Sequence, residues 1–242
     1  RGEWPGVPEF SVLVPNTKGL EGLEAADAAA CEMSGQEPPL VRKIGLFTAA
    51  SEAFSKKNTN ATIGETIERF KNVMARGSDN AQVVRGYISC VIACPFEGAV
   101  SPAKVAEVAA RLVEIGVGEI DLGDTIGAGT PETVGAMLAA VEKKIGPGWF
   151  RRKGVTLHLH DTNGQAAACV IAALEAGVRS FDGSAGALGG CPYASTPTKR
   201  APGNIATETL VRTVHDAGFE TMVDEEALDL AGAFAREIVG RA

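Results

Sequence analysis

The chain has 242 residues, 45% of them apolar, with 23 lysines and arginines against 30 aspartates and glutamates and a formal net charge of −7. That length allows one large domain or two small ones around a real core, and an acidic balance without a basic patch argues against a nucleic-acid binder. Five cysteines (31, 90, 94, 169 and 191) are an odd count in a long chain, so they form no disulfide framework and point to a reducing compartment.

In chain order, apolar runs predict strands near Phe10–Val14, Lys43–Thr48, Val83–Val91, Gly118–Leu122, Val155–His160 and Ser180–Gly183. Helical periodicity predicts helices over about Lys18–Ala30, Ile63–Ala75, Pro102–Ile115, Pro131–Ile145, Gln165–Ala176, Ile205–Ala217 and a last one near Glu225–Val239. Cys31–Pro39 (CEMSGQEPP) is polar and reads as a loop insertion. Thr62-Ile-Gly-Glu65 is a capping box, and Ser101-Pro102 and Thr130-Pro131 each set an N-cap before a first-turn proline. Gly116, Gly146, Gly177 and Gly218 follow helical runs, where a left-handed cap is wanted. No apolar run of 18 residues is present, so no membrane-spanning helix is expected.

Six βα units imply a parallel sheet covered by helices, which suits a (β/α)8 barrel or an open doubly wound sheet. Asn16, Ser51, Asp124, His160 and Ser184 fall at strand C-termini, the active-site end of a barrel, and favour the barrel. No G-x-G-x-x-G opens a helix, which argues against a dinucleotide site. Six units rather than eight make the expected fold an incomplete α/β barrel of TIM type with a C-terminal helix, a single domain over 1–242. Strand edges near Phe10–Val14 and Ser180–Gly183 would then be open.

The most informative stretch is Leu157-His158-Leu159-His160-Asp161-Thr162. The two-residue period of a strand sends Thr156, His158 and His160 to one face and Val155, Leu157 and Leu159 to the other. Two converging imidazoles make half of a divalent-metal site, and a pair of hydrogen-bonded core histidines is the alternative. Asn204 offers a hard amide oxygen for Mg2+ or Mn2+, or an N-cap for the helix that follows. Asp124 could hold a partner residue or substrate, or cap a helix. Cys191, at the tip of Gly186-Ala-Leu-Gly-Gly-Cys191-Pro-Tyr193, reads as an exposed, reactive thiol on a loop. Lys56, Lys57 and Arg85 are candidate cations for an anionic substrate, with solvated surface charge as the alternative for the lysines.

VLVPNTKGLEGL, AASEAFSKKN, VRGYISCVIACPFEG, SPAKVAEVA, EIDLGDTIGAGTP, HLHDTNGQA, GALGGCPYA and GNIATE together resemble the 3-hydroxy-3-methylglutaryl-CoA (HMG-CoA) lyases of the metal-dependent lyase/aldolase TIM-barrel superfamily. The Gly-Gly-Cys-Pro-Tyr loop is similar to the lyase signature rather than to that of the isopropylmalate and homocitrate synthases. The resemblance implies Mg2+ or Mn2+ and a retro-Claisen cleavage of HMG-CoA to acetyl-CoA and acetoacetate, a step of leucine degradation and ketogenesis. It implies His158, His160 and Asn204 as metal ligands, with His158 also in proton transfer. Cys191 would serve acid/base work at the acetyl-CoA carbanion, Asp124 would be the catalytic aspartate, and Glu208 the acid after the Gly-Asn pair. Asn58, Arg85 and Tyr87 match positions on the CoA side, with Lys56 and Lys57 near the phosphates. The expected partners are a small-molecule acyl-CoA and a second copy of the chain in a homodimer, with no nucleic acid and no membrane. The expected location is the mitochondrial matrix in a eukaryote or the cytoplasm in a bacterium.

The chain also departs from that family. No Arg-Asp pair, the source of the metal's aspartate ligand and the enolate's arginine, precedes Phe10, and no second-strand acid is found. HDTYGQ reads HDTNGQ, with Asn163 at the tyrosine position, and Ser195–Pro202 is longer than in many members. The expectation is a lyase without its first two βα units, binding metal weakly and nearly inactive as the 242-residue chain. A non-catalytic truncated paralogue, or an aldolase or lyase acting on another 3-hydroxyacyl-CoA, remains open at this level.

Overall fold

A computed structural model describes residues 9–35, 40–79, 82–189 and 203–240. In chain order the elements are β1 (Ser11–Leu13), α1 (Thr17–Ser34), β2 (Lys43–Ala49), α2 (Glu52–Thr59), α3 (Ile63–Asp79), β3 (Val83–Ser89), β4 (Ala93–Cys94), β5 (Gly98–Ala99), α4 (Pro102–Glu114), β6 (Glu119–Asp124), α5 (Pro131–Ile145), α6 (Gly148–Arg151), β7 (Val155–Leu159), α7 (Ala166–Glu175), β8 (Ser180–Asp182), α8 (Thr207–Asp216) and α9 (Glu225–Gly240). Six strands pair in parallel in the order β1-β2-β3-β6-β7-β8, while β4 and β5 form a small antiparallel hairpin. The sheet curls, with helices on its convex side. Among the described residues β1 and β8 pair on one side only, so both edges are open as the sequence predicts.

The alternation of each strand divides its side chains. Ile44 and Leu46, Val84 and Ile88, Ile120 and Leu122, and Val155, Leu157 and Leu159 are buried and belong to one continuous core with Leu112, Met137, Leu138, Val170 and Ala173 from the helices. Phe47, Tyr87, Asp121, Thr156 and Ser180 stand in register on the concave face. One step nearer the strand C-termini come Ser89, Gly123, His158 and Asp182.

The helix boundaries follow the expected chemistry. Thr62 N–H donates to Glu65 Oε2 (2.7 Å) while Glu65 N–H donates to Thr62 Oγ1 (3.1 Å), closing the capping box. Ser101 and Thr130 cap α4 and α5.

Three local expectations need correction. Cys31 to Ser34 is not loop: α1 continues because Leu20, Leu23, Asp27 and Cys31 form one buried stripe, and it stops at Gly35 in the left-handed region (φ 69°). Residues 36–39 lie outside the described residues. Helix α2 is polar and went unpredicted; Ser51 Oγ caps it by accepting from Phe54 N–H (3.1 Å), and Glu97 from the β4–β5 hairpin binds both Ser51 Oγ (2.6 Å) and Ala53 N–H (3.2 Å). Helix α6 was not foreseen either.

Leu122, fully buried between the sheet and its helices, is a sensitive probe of this core. Leu122→Ala is expected to cost about 2–5 kcal/mol in urea unfolding without moving strand content.

Candidate active site at the strand C-termini

His158 leaves β7 toward the concave face, and His160 follows just past the strand end. Their ring centroids are 5.3 Å apart at 65°. Both line a cavity of about 520 Å³ together with Ser11, Leu13, Gly45, Phe47, Asn58, Tyr87, Ser89, Asp121, Gly123, Thr125 and Asp182. Gly45 contributes space: a Cβ there would stand 2.9 Å from both Leu13 Cδ2 and Tyr87 Cε2.

The two histidines differ in their surroundings. His158 Nδ1 lies 2.5 Å from Asp182 Oδ1 on the neighbouring strand. His160 Nδ1 is buried with no hydrogen-bond partner. Burial, and then the nearby His158, push the His160 pKa down to about 4, so its ring is neutral and has a lone pair at physiological pH. His160 also forms an isolated antiparallel bridge with Asn204. Asn204 is not the cap of the helix that follows, because α8 begins later, with Ala206 in the cap position. Its Nδ2 donates to Leu188 O (3.1 Å), which leaves the amide oxygen as the atom with lone pairs to offer. An orphaned imidazole nitrogen, a second imidazole and an amide bridged to the first are donors of a kind that suit a divalent cation. Among the described residues no three His, Cys, Asp or Glu side chains cluster as a metal cage.

Beneath the histidines lies a charged network. Arg85 Nε binds Glu119 Oε2 (2.7 Å), and its Nη1 lies 3.5 Å from Asp121 Oδ2 and 4.0 Å from Asp182 Oδ2. Lys43 Nζ binds Glu119 Oε1 (3.0 Å). Neither Asp121 oxygen has a partner in hydrogen-bond geometry, and burial and then the neighbouring Asp182 charge raise its pKa well above the ordinary aspartate value. Burial works the same way on Asp182, but the hydrogen bond and charge of His158 outweigh it and hold that carboxyl below its ordinary value.

The other residues singled out in the sequence do not all meet here. Asn58 and Tyr87 line the cavity, whereas Arg85 is committed to the ion pairs below it, and Lys56 and Lys57 stand exposed on the last turn of α2, outside the lining. Asp124 is buried and also outside the lining: its oxygens accept from Ala128 N–H (3.1 Å) and Gly129 N–H (2.7 Å), so it braces the β6–α5 loop. Burial raises its pKa against the lowering effect of those N–H groups. Glu208 on α8 accepts from Gly186 N–H (3.0 Å to each oxygen) and Arg236 Nη1 (3.3 Å), tying the turn after β8 to α9. Cys191 and Ser195–Pro202 lie outside the described residues. Asn163, the departure at the tyrosine position, donates to Gly127 O (2.7 Å) and ties the loops after β6 and β7 together. Gly127 (φ 65°) admits this approach, since a Cβ there would sit 2.8 Å from His160 O. Asp121 and Asp182 were missed, although Glu119-Asp121-Gly123 and Ser180-Asp182 alternate in the way that singled out His158 and His160.

A curled parallel sheet with paired histidines and a cavity at the C-terminal ends of its strands defines the chain as six units of a β/α barrel with its functional end formed. A family profile, HMGL-like, matches residues 17–234, and the chain belongs to that family. It is 42% identical over 239 residues to the cytoplasmic 3-hydroxy-3-methylglutaryl-CoA lyase of Rattus norvegicus, an alignment covering 99% of this chain and 63% of the relative. The chain therefore spans less than two thirds of that relative's length. The HMG-CoA lyase structure from Brucella melitensis superposes with a TM-score of 0.82 at 43% identity, covering 95% of this chain and 74% of that one. The HMG-CoA lyase of Acinetobacter baumannii, solved with coenzyme A and 3-methylmalate, superposes at 0.79 with 30% identity, covering 96% of this chain and 68% of that one. No helix among the described residues is long and apolar enough to cross a membrane.

Asp121 offers a pH test of the network. Its folded-state pKa lies above the unfolded one, so its contribution to stability is full below the unfolded value, about 3.9, and is lost as pH rises through the folded value. Asp121→Asn is expected to gain stability relative to the native chain on going from pH 4.5 to pH 7.5 in urea unfolding; a pH-independent difference would contradict the assignment.

Proposed function

We propose that this chain carries the metal-holding half of an HMG-CoA lyase site, cleaving 3-hydroxy-3-methylglutaryl-CoA to acetyl-CoA and acetoacetate. The observation that carries the reading is the pair His158 and His160 at the strand C-termini beside a cavity, with Asn204 bridged to His160. The chain's membership of the HMGL-like family supports it, as do relatives named for that reaction. The coenzyme A in the Acinetobacter relative supports an acyl-CoA substrate. The proposed domain is one barrel of which residues 1–242 supply six units.

In this reading His158, His160 and Asn204, the last by its amide oxygen, would hold Mg2+ or Mn2+. A cation held there would supply Lewis-acid chemistry, lowering the pKa of the substrate's C3 hydroxyl. With Nδ1 engaged by Asp182, His158 has one nitrogen to offer, Nε2, and it would take the hydroxyl proton there only when that nitrogen is not holding the cation. Loss of that proton turns the hydroxyl carbon into a ketone and expels the acetyl-CoA enolate, whose carbon takes a proton from the Cys191 thiol. Asn58 and Tyr87 line the cavity where the acyl chain would lie. Asp124 and Glu208 act by bracing the loops that frame the site. Leucine breakdown and ketone-body formation are the processes that such a reaction would serve.

Titrated with Mn2+ and followed by electron paramagnetic resonance, the 242-residue chain is expected to bind the ion. His158→Ala and His160→Ala should each weaken binding at least about tenfold, while binding that survives both would overturn the site. The protein carrying this chain is expected to release acetoacetate from HMG-CoA, and the same two substitutions should suppress that release.

A further inference from the structure

Asp182 lies on β8, the end strand of the sheet, in register with His158, and its Oδ1 sits 2.5 Å from His158 Nδ1. Its Oδ2 faces Arg85 Nη1 at 4.0 Å, and Arg85 is itself fixed by the 2.7 Å bond to Glu119. The carboxylate is thus held between an imidazole and an anchored guanidinium. His160 has no such brace, its Nδ1 being buried without a partner. A neutral imidazole carries one proton on either nitrogen, and the hydrogen bond made by one nitrogen decides which form the other presents. A carboxylate accepting from Nδ1–H leaves a lone pair on Nε2, turns the ring in a fixed direction and raises its basicity.

We propose that Asp182 is a positioning residue for His158, holding the ring in its Nδ1–H form with Nε2 directed into the cavity. The proposal rests on the reading of His158 as a metal-holding residue, and extends it to the carboxylate that acts through its ring. Arg85 serves the same end one step removed: its guanidinium, anchored on Glu119, faces Asp182 Oδ2 and leaves Oδ1 turned toward the ring, which gives this arginine a task in the barrel interior instead of at the CoA.

The test uses the full chain with 15N-labelled histidine, free of metal at pH 8, and long-range 1H–15N correlation spectra that report which ring nitrogen bears the proton. In the native chain His158 is expected to be protonated on Nδ1 and bare on Nε2. Asp182→Ala should shift the proton to Nε2, and Asp182→Glu, which keeps the carboxylate, should restore the native form at least in part. Mn2+ affinity should fall by about 10–100-fold in Asp182→Ala and recover in Asp182→Glu. If Asp182→Ala does not fold, Asp182→Asn serves in its place, since an amide donating to Nδ1 drives the ring proton to Nε2. A native His158 protonated on Nε2, or a tautomer that loss of the carboxylate leaves unchanged, overturns the proposal. A tautomer that shifts as expected, with Mn2+ affinity indifferent to both Asp182→Ala and His158→Ala, upholds the role of Asp182 and instead refutes the metal-holding reading.

Discussion

Parallel pairing of β6, β7 and β8 with a two-residue side-chain period is the constraint on which the rest depends. It sets Gly123, His158 and Asp182 side by side on the concave face and puts Leu122, Leu157 and Phe181 on the other. A slip of one residue in β7 would bring Leu157 and Leu159 into the cavity and carry both histidines under the helices. The core thus enforces the site: Val155, Leu157 and Leu159 are almost wholly buried against the helices, and burying them aims His158 inward. Stability and chemistry are set by one choice of register.

The concave face is polar for a barrel interior, where branched apolar side chains usually stack in layers. Lys43 and Arg85 stand among Glu119, Asp121 and Asp182, and most of these charges are paired. Pairing is necessary there, since a buried charge without a partner costs several kcal/mol. Asp121 is the least satisfied member and answers by holding its proton more tightly. The result is a graded interior, with fixed ion pairs toward the strand N-termini and neutral or hydrogen-bonded donors at the C-terminal rim. The loops at that rim are fastened by polar side chains, Asp124 to its own loop, Asn163 to Gly127 and Glu208 to Gly186.

Strands and helices with strong local signals were legible. The strand runs came out within a residue or two, and the capping box at Thr62 and the threonine cap at Thr130 form as their sequences require. What escaped lacks a local signal. Helix α2 is polar and short, and it is stabilised by Glu97, which is more than forty residues away in sequence. The end of α1 hides in a polar stretch, and that Cys31 belongs to the helix's buried stripe shows only in the folded chain. At the site, the parity of His158 and His160 was plain, and the same parity carries Asp182; but an aspartate on a three-residue strand draws no attention until its neighbour is known to be His158.

The residues alone determined the alternation of strand and helix, the sharing of one face by the two imidazoles, and the likeness to the HMGL-like family, because these depend on side-chain period and local motif. Only the tertiary structure decided what each polar group does. Asp124 and Glu208 are spent on backbone N–H groups, Arg85 is drawn into ion pairs, Asn204 is bridged to His160 instead of capping its helix, and Asp182 meets His158. The physical reason is that a polar side chain takes the partner that burial leaves within reach, and that partner is set by register and curvature between strands distant in sequence.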